Sequence, residues 1–136
     1  MSAKVLLVDD DPEFSRLIEY NLKRQSCEVL IAHNAVQGLY LARTSLPDII
    51  LLDLMLPDLD GFSVCHILQV QPSTKHVPIF IISALDAPSF GSRGSKARFA
   101  KYFQKPVDIK LLAENVRTTC EEHQAWLRST MSEAEG

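Results

Sequence analysis

The sequence predicts an α/β domain, a doubly wound sheet of five parallel strands with helices on both faces. Three observations predict it. Short apolar runs alternate five times with longer stretches of helical periodicity, the pattern of repeated strand–helix units. Two of these runs, residues 4–9 (KVLLVD) and 48–53 (DIILLD), are continuously apolar inside and stop on carboxylates. A strand covered on both faces has this character. Finally, 136 residues, 46% hydrophobic and 23% charged, are enough for one domain with a real core and too few for two ordinary ones.

Taken in order, residues 4–9 form the first strand. Asp11 is a suitable N-cap and Pro12 a suitable first helical residue for the helix that follows. Phe14, Leu17, Ile18 and Leu22 recur in it at helical spacing. Residues 28–32 (EVLIA) read as the second strand. Asn34 and Gln37 form a capping box for a helix carrying Val36, Leu39 and Tyr40 on one side. The third strand, 48–53, gives way to a turn-rich stretch, Leu56-Pro57-Asp58-Leu59-Asp60-Gly61. Residues 62–70 form a helix with Val64, Cys65 and Leu68 inward. Residues 77–82 (VPIFII) are the fourth strand, ending on Ser83-Ala84.

Residues 86–98 follow neither period cleanly. A short fifth strand, 101–103, leads into Gln104-Lys105-Pro106. Asp108 then caps a long last helix with Ile109, Leu112, Val116 and Cys120 along one stripe. The domain is read as residues 1–127, with 128–136 a C-terminal tail whose last residues, 132–136, are expected to be disordered.

Composition removes several function classes. A net charge of −3 makes no general case for nucleic-acid binding. No apolar run approaches a membrane span, and no signal peptide precedes the first strand, so a cytoplasmic location is expected. Cys27, Cys65 and Cys120 are odd in number and widely spaced, as reduced core thiols are. The four histidines show no zinc-binding spacing.

What remains is a constellation at strand ends. Asp9, Asp10, Asp53, Ser83 and Lys105 all stand at C-terminal ends of strands, which share one edge in a parallel sheet. Three neighbouring carboxylates need a cation or a proton to coexist. Oxygen-only ligands suit a hard divalent ion such as Mg²⁺. A lysine and a hydroxyl opposite them suit a phosphoryl group, and a carboxylate can accept one as a nucleophile.

At these residues the chain resembles the response-regulator receiver domain of two-component signalling (CheY-like). The resemblance runs from residue 3 to about 125. It rests on Asp9-Asp10, on Asp53 with Pro57 and Asp60-Gly61, on Ser83-Ala84 and on Lys105-Pro106. Ser83 and Lys105 stand 30 and 52 residues after Asp53.

The resemblance implies a flavodoxin-like (βα)5 fold with strand order 2-1-3-4-5. It implies that Asp53 is the phosphoacceptor of a phosphorelay and that the domain is not an enzyme. Mg²⁺ would be held by Asp10 directly, by Asp9 mainly through water, by Asp53, and by the backbone carbonyl of Met55. Lys105 would pair with the phosphoryl group, Ser83 would bond to it, and Ala84 would leave room beside it. Ser83 and Tyr102 would form the switch, and Pro106 would follow a cis bond that aims Lys105 inward. The donor would be a histidine kinase or phosphotransfer protein. The surface around residues 86–103 and the last helix would meet a downstream protein partner.

The chain departs from the family in residues 89–99 (SFGSRGSKARF), which make an atypical fourth helix. Gly91 and Gly94 disfavour a helix interior, and Ser92 and Ser95 favour turns. Arg93, Lys96, Arg98 and Lys101 make this face basic and suited to an acidic partner. With few apolar positions to hold it, the segment is expected to be mobile. The departure weakens the case for the family's common dimer, so a monomer or weak dimer is expected.

Two other site chemistries fit poorly. A haloacid-dehalogenase-type phosphatase wants a second Asp where Met55 stands. A dinucleotide site wants a glycine-rich turn where this chain has Asp-Asp-Asp-Pro. The remaining alternative is a pseudo-receiver that works as a protein–protein module without phosphorylation. The chain is read as either a stand-alone receiver or the receiver part of a larger regulator with its own output domain.

Overall fold

In the computed structural model, residues 2–91 and 97–135 are described. The strands are β1 (Lys4–Val8), β2 (Glu28–Ala32), β3 (Ile49–Leu52), β4 (Ile79–Ser83) and β5 (Lys101–Gln104). The helices among these residues are α1 (Pro12–Lys23), α2 (Ala35–Ser45), α3 (Gly61–Val70) and α4 (Ile109–Glu135), with a 3₁₀ turn at Ala87–Phe90. All neighbouring strands pair in parallel, in the order β2-β1-β3-β4-β5.

Every residue of β3 and β4 is buried, which is why those runs are apolar without alternation. Their side chains alternate between two cores. One holds Leu6, Val8, Ile50, Leu52 and Ile81 with Val64, Cys65 and Leu68 of α3. The other holds Val5, Leu7, Ile49, Leu51, Phe80 and Ile82 with Ile18 and Leu22 of α1 and Leu112, Val116 and Cys120 of α4.

The caps follow the sequence closely. Asp11 Oδ1 accepts the N–H groups of Glu13 and Phe14, with Pro12 at the first helical position. Asn34 Oδ1 accepts Gln37 N–H at 2.8 Å, whereas the Gln37 side chain reaches His33 N–H rather than Asn34 itself. Asp108 Oδ1 takes Leu111 N–H at the start of α4.

Three readings of the sequence need correction, and one is filled in. In α1, Leu17 is exposed and Ser15 is buried in its place, its hydroxyl satisfied by the Asp11 carbonyl. In α2, Val36 and Tyr40 face outward, and Ala35, Gly38 and Ala42 face the sheet. Close approach explains this: a Cβ at Gly38 would lie 2.9 Å from both methyls of Val8. The start of the 86–98 stretch is the 3₁₀ turn, in which Phe90 is buried against Phe62 and Tyr102. Of the atypical fourth helix read over residues 89–99, residues 92–96, with Arg93 and Lys96, lie outside the described ones. Finally, α4 runs through the proposed tail boundary at 127 to Glu135, so residues 132–135 are helical rather than disordered. Met, Glu and Ala are strong helix formers, and no Pro or Gly stands between Ile109 and Gly136 to stop the helix.

At the N-terminal edge of the sheet, Asp48 is a junction. Its carboxylate accepts the backbone N–H of Lys4 at 2.9 Å and the Gln124 amide at 3.2 Å, and it faces His123 Nδ1 at 3.2 Å. Cys65 and Cys120 are buried free thiols, and burial pushes them up to about 11 and about 12. They are inert core residues under ordinary conditions. No described helix is long and apolar enough to cross a membrane.

Candidate functional site

The sheet register builds the site. β1 and β3 run side by side with Val8 opposite Leu52, so the residues that follow them, Asp9 and Asp53, emerge together. Backbone bonds extend the pairing past the strand ends: Asp9 N–H to Ala32, Asp53 N–H to Val8 and Lys105 N–H to Ser83, all at 2.8–2.9 Å. Asp9, Asp53 and Ser83 are buried, and Asp10 is exposed at the rim.

Carboxylate oxygens of Asp9, Asp10 and Asp53 lie within 4.8 Å of one another. Opposite them, Lys105 Nζ donates to Asp9 Oδ2 at 2.8 Å and to Asp53 Oδ2 at 3.2 Å. One ammonium thus bonds two of the three clustered carboxylates, and net negative charge remains. Burial pushes the Asp9 carboxyl above its ordinary range, although hydrogen bonds from Lys105 and Asp11 N–H oppose the rise. For Lys105, burial acts downward and is outweighed by Asp9 and Asp53, so its ammonium is held above the ordinary lysine value. The uncompensated oxygen cluster fits a hard divalent cation by donor type and by charge.

The loop after β3 is shaped around Asp53. Met55 N–H donates to Asp53 Oδ1 at 3.0 Å, and Met55 bridges to Asp60. Asp60 caps α3 through Ser63 N–H. Gly61 lies against the Asp53–Leu54 backbone, where a Cβ would come within 2.4 Å of Leu54 Cα and 2.7 Å of the Asp53 carbonyl oxygen. Only glycine allows that approach, and it fixes the loop directly behind the carboxylate.

Ser83 is fully buried, and its Oγ takes Leu85 N–H at 3.3 Å. Ala84 follows, exposed. The Lys105–Pro106 peptide bond is cis. Tyr102 is half-buried, its hydroxyl on the Leu85 carbonyl and its ring edge-on to Phe90 at 5.0 Å. The β4–β5 side of the site is therefore one connected group: Ser83 holds Leu85 by its N–H, and Tyr102 holds Leu85 by its carbonyl.

Four features were not read from the sequence. The Phe14 ring lies over Lys105 Nζ, 4.2 Å from centroid to nitrogen. His33 Nδ1 is 3.0 Å from the Asp9 carbonyl oxygen. Asp58 in the β3–α3 loop takes Ala35 N–H at 2.8 Å and Val36 N–H at 3.0 Å, capping α2 from a distant loop. Phe90 anchors the 3₁₀ turn. Of these, only Phe14 carried a signal, its place in the apolar stripe of α1, and that stripe pointed to the core. His66 is exposed on α3.

A doubly wound sheet in this strand order, with an acidic cluster, a hydroxyl and a lysine at its C-terminal edge, is of the flavodoxin-like class. The chain belongs to one family within it: the model for the response regulator receiver domain matches residues 5–117. It is therefore the receiver domain of a two-component response regulator. It is similar to the response regulator PleD of Caulobacter vibrioides, with 40% identity over 118 residues, 87% of this chain and 26% of PleD. It is also similar to the protein PilH of Pseudomonas aeruginosa, with 31% identity across 84% of this chain and 94% of PilH. Among solved structures, the receiver domain of the sensor histidine kinase PA1611 from Pseudomonas aeruginosa superposes with a TM-score of 0.81. The identity is 26%, covering 89% of this chain and 99% of that one, and that structure has a magnesium ion coordinated in its active-site cleft. The chain spans about a quarter of PleD's length.

Proposed function

We propose that Asp53 accepts a phosphoryl group from the phosphohistidine of a kinase or phosphotransfer protein. An Asp53 carboxylate oxygen forms the new O–P bond as the P–N bond of the donor breaks, and the electron pair returns to the imidazole nitrogen. The observation that carries this reading is the placement of Lys105 Nζ 3.2 Å from Asp53 Oδ2, beside an oxygen cluster with charge to spare. Lys105 supplies a positive charge for the phosphoryl oxygens, and Ser83 supplies a hydroxyl from the adjoining strand. Asp9, Asp10, Asp53 and the Met55 carbonyl would hold Mg²⁺, which when bound neutralises charge on the transferred group.

Ser83 and Tyr102 meet at Leu85, which supports their reading as the switch. A shift of the Ser83 hydroxyl toward a phosphoryl group disturbs the backbone that Tyr102 holds. The surface of residues 86–103 and α4 would then change its affinity for a downstream protein or an attached output domain. In this reading the domain acts in the cytoplasm as a phosphoacceptor and turns over no substrate of its own.

Incubation with a small acyl phosphate and Mg²⁺ tests the proposal. Wild type should acquire a hydroxylamine-sensitive label, and Asp53→Asn should acquire none. A label that survives in Asp53→Asn sinks the assignment. Failure of beryllofluoride to bind with Mg²⁺ present would favour the pseudo-receiver instead.

A further inference from the structure

Lys105 has a third neighbour besides its two carboxylates. Its ammonium lies over the face of Phe14, 4.2 Å from the ring centroid, where the ring quadrupole attracts a cation. The backbone that carries the ring is tied to the site through Asp11 and Asp9. Asp9 Oδ1 takes Asp11 N–H at 2.8 Å, Asp11 Oδ1 takes Phe14 N–H at 3.3 Å, and Asp9 Oδ2 takes Lys105 Nζ at 2.8 Å. The path from Asp9 through Asp11 and Phe14 to Lys105 closes on Asp9. Phe14 is half-buried and packs against the core layer that contains Ile18 and Leu22, so its ring has support from below.

We propose that Phe14 is a positioning residue for phosphoryl acceptance, holding the Lys105 ammonium at the mouth of the site through its ring face. The proposal rests on the phosphoacceptor reading of Asp53. A lysine on a flexible stem otherwise loses rotamer freedom when it pairs with an incoming group. The ring restricts that freedom beforehand. It attracts the ammonium without the full charge of a third carboxylate, which would compete with the phosphoryl oxygens.

The test compares Phe14→Leu and Phe14→Met, which keep an apolar side chain, with Phe14→Tyr, which keeps the aromatic face. Phosphorylation by a small acyl phosphate with Mg²⁺ is timed in each. Phe14→Leu and Phe14→Met should slow it by about threefold to tenfold, and Phe14→Tyr should stay within about twofold of wild type, given the usual strength of a cation–π contact. Carbon–proton NMR of the lysine side chains gives a readout independent of phosphorylation. The Lys105 ε-methylene protons should be shifted upfield by the ring in wild type and Phe14→Tyr, and should return to the ordinary lysine position in Phe14→Leu.

Unshifted Lys105 signals in wild type overturn the proposal, whether or not the variants fold. So does a rate in Phe14→Leu equal to wild type, or an equal loss in Phe14→Tyr. Wild type that takes no label at all overturns the phosphoacceptor reading and this role with it, whereas normal labelling in wild type and Phe14→Leu alike overturns this role alone.

Discussion

Lys105 stands closer to Asp9 than to Asp53, 2.8 Å against 3.2 Å, so the lysine first serves a buried acid other than Asp53. Asp9 is fully buried and Lys105 largely so. Removing one partner of such a pair strands the other charge in a poor solvent.

Lys105→Met should therefore destabilise the fold, by roughly 3 kcal/mol without divalent cation, because it leaves two buried carboxylates beside each other. Mg²⁺ should restore more of the lost melting temperature in this variant than it adds to wild type. Thermal melts with and without Mg²⁺ measure both. A variant as stable as wild type would show that the lysine carries no structural share of the site.

Asp10→Ala should behave in the opposite way. Asp10 is exposed, and its charge adds to the repulsion at the rim. The variant should be at least as stable as wild type without Mg²⁺ and should gain little when Mg²⁺ is added. A stabilisation by Mg²⁺ as large as that of wild type would refute direct ligation by Asp10.

Gly61→Ala inserts a methyl 2.4 Å from Leu54 Cα, against backbone and not against a flexible side chain. The loop must shift, at a cost of roughly 1–3 kcal/mol. Because the displaced backbone carries Asp53, the rate of labelling should fall as well. Denaturant midpoints and labelling rates check the two effects separately, and an unchanged midpoint would show that the loop yields freely.

Asp58→Ala gives a pH-dependent loss. The N–H groups of Ala35 and Val36 hold the Asp58 carboxyl below its ordinary value of 3.8. A depressed folded value means that the unfolded chain binds the proton first as pH falls. The stabilisation is fully present above the unfolded value and is lost as pH drops through the folded one. Asp58→Ala should thus be less stable than wild type near neutral pH, with the gap closing below about pH 4, where the unfolded carboxyl takes up its proton. A gap that stays constant down to pH 2 would mean that the carboxylate charge plays no part.

The strand ends were legible in the sequence because burial on both faces leaves an unbroken apolar run, and the acid that stops it is conspicuous. Asp9, Asp10, Asp53, Ser83 and Lys105 could all be placed on one edge from alternation alone. The faces of α1 and α2 were not legible, for a packing reason. Gly38 lets α2 press against Val8, so the small residues face the sheet and the larger Val36 and Tyr40 are turned out. A pattern reading that looks for large apolar residues points to the wrong side. Asp58 and Phe14 were missed because their partners, Ala35 and Lys105, lie far away along the chain, and neither contact leaves a periodic trace.

The junction at Asp48 has a geometric consequence for how a signal leaves the domain. Asp48 joins the start of β1 to His123 and Gln124 of α4, at the edge of the sheet opposite the acids. The helix continues from His123 to Glu135, about 18 Å at the usual rise per residue. Beyond the Asp48 contacts, Trp126 touches His76 with ring centroids 4.7 Å apart, and residues 127–132 are exposed. A phosphoryl group on Asp53, as proposed, would reach a segment carried past Glu135 through α4 and its tie at Asp48.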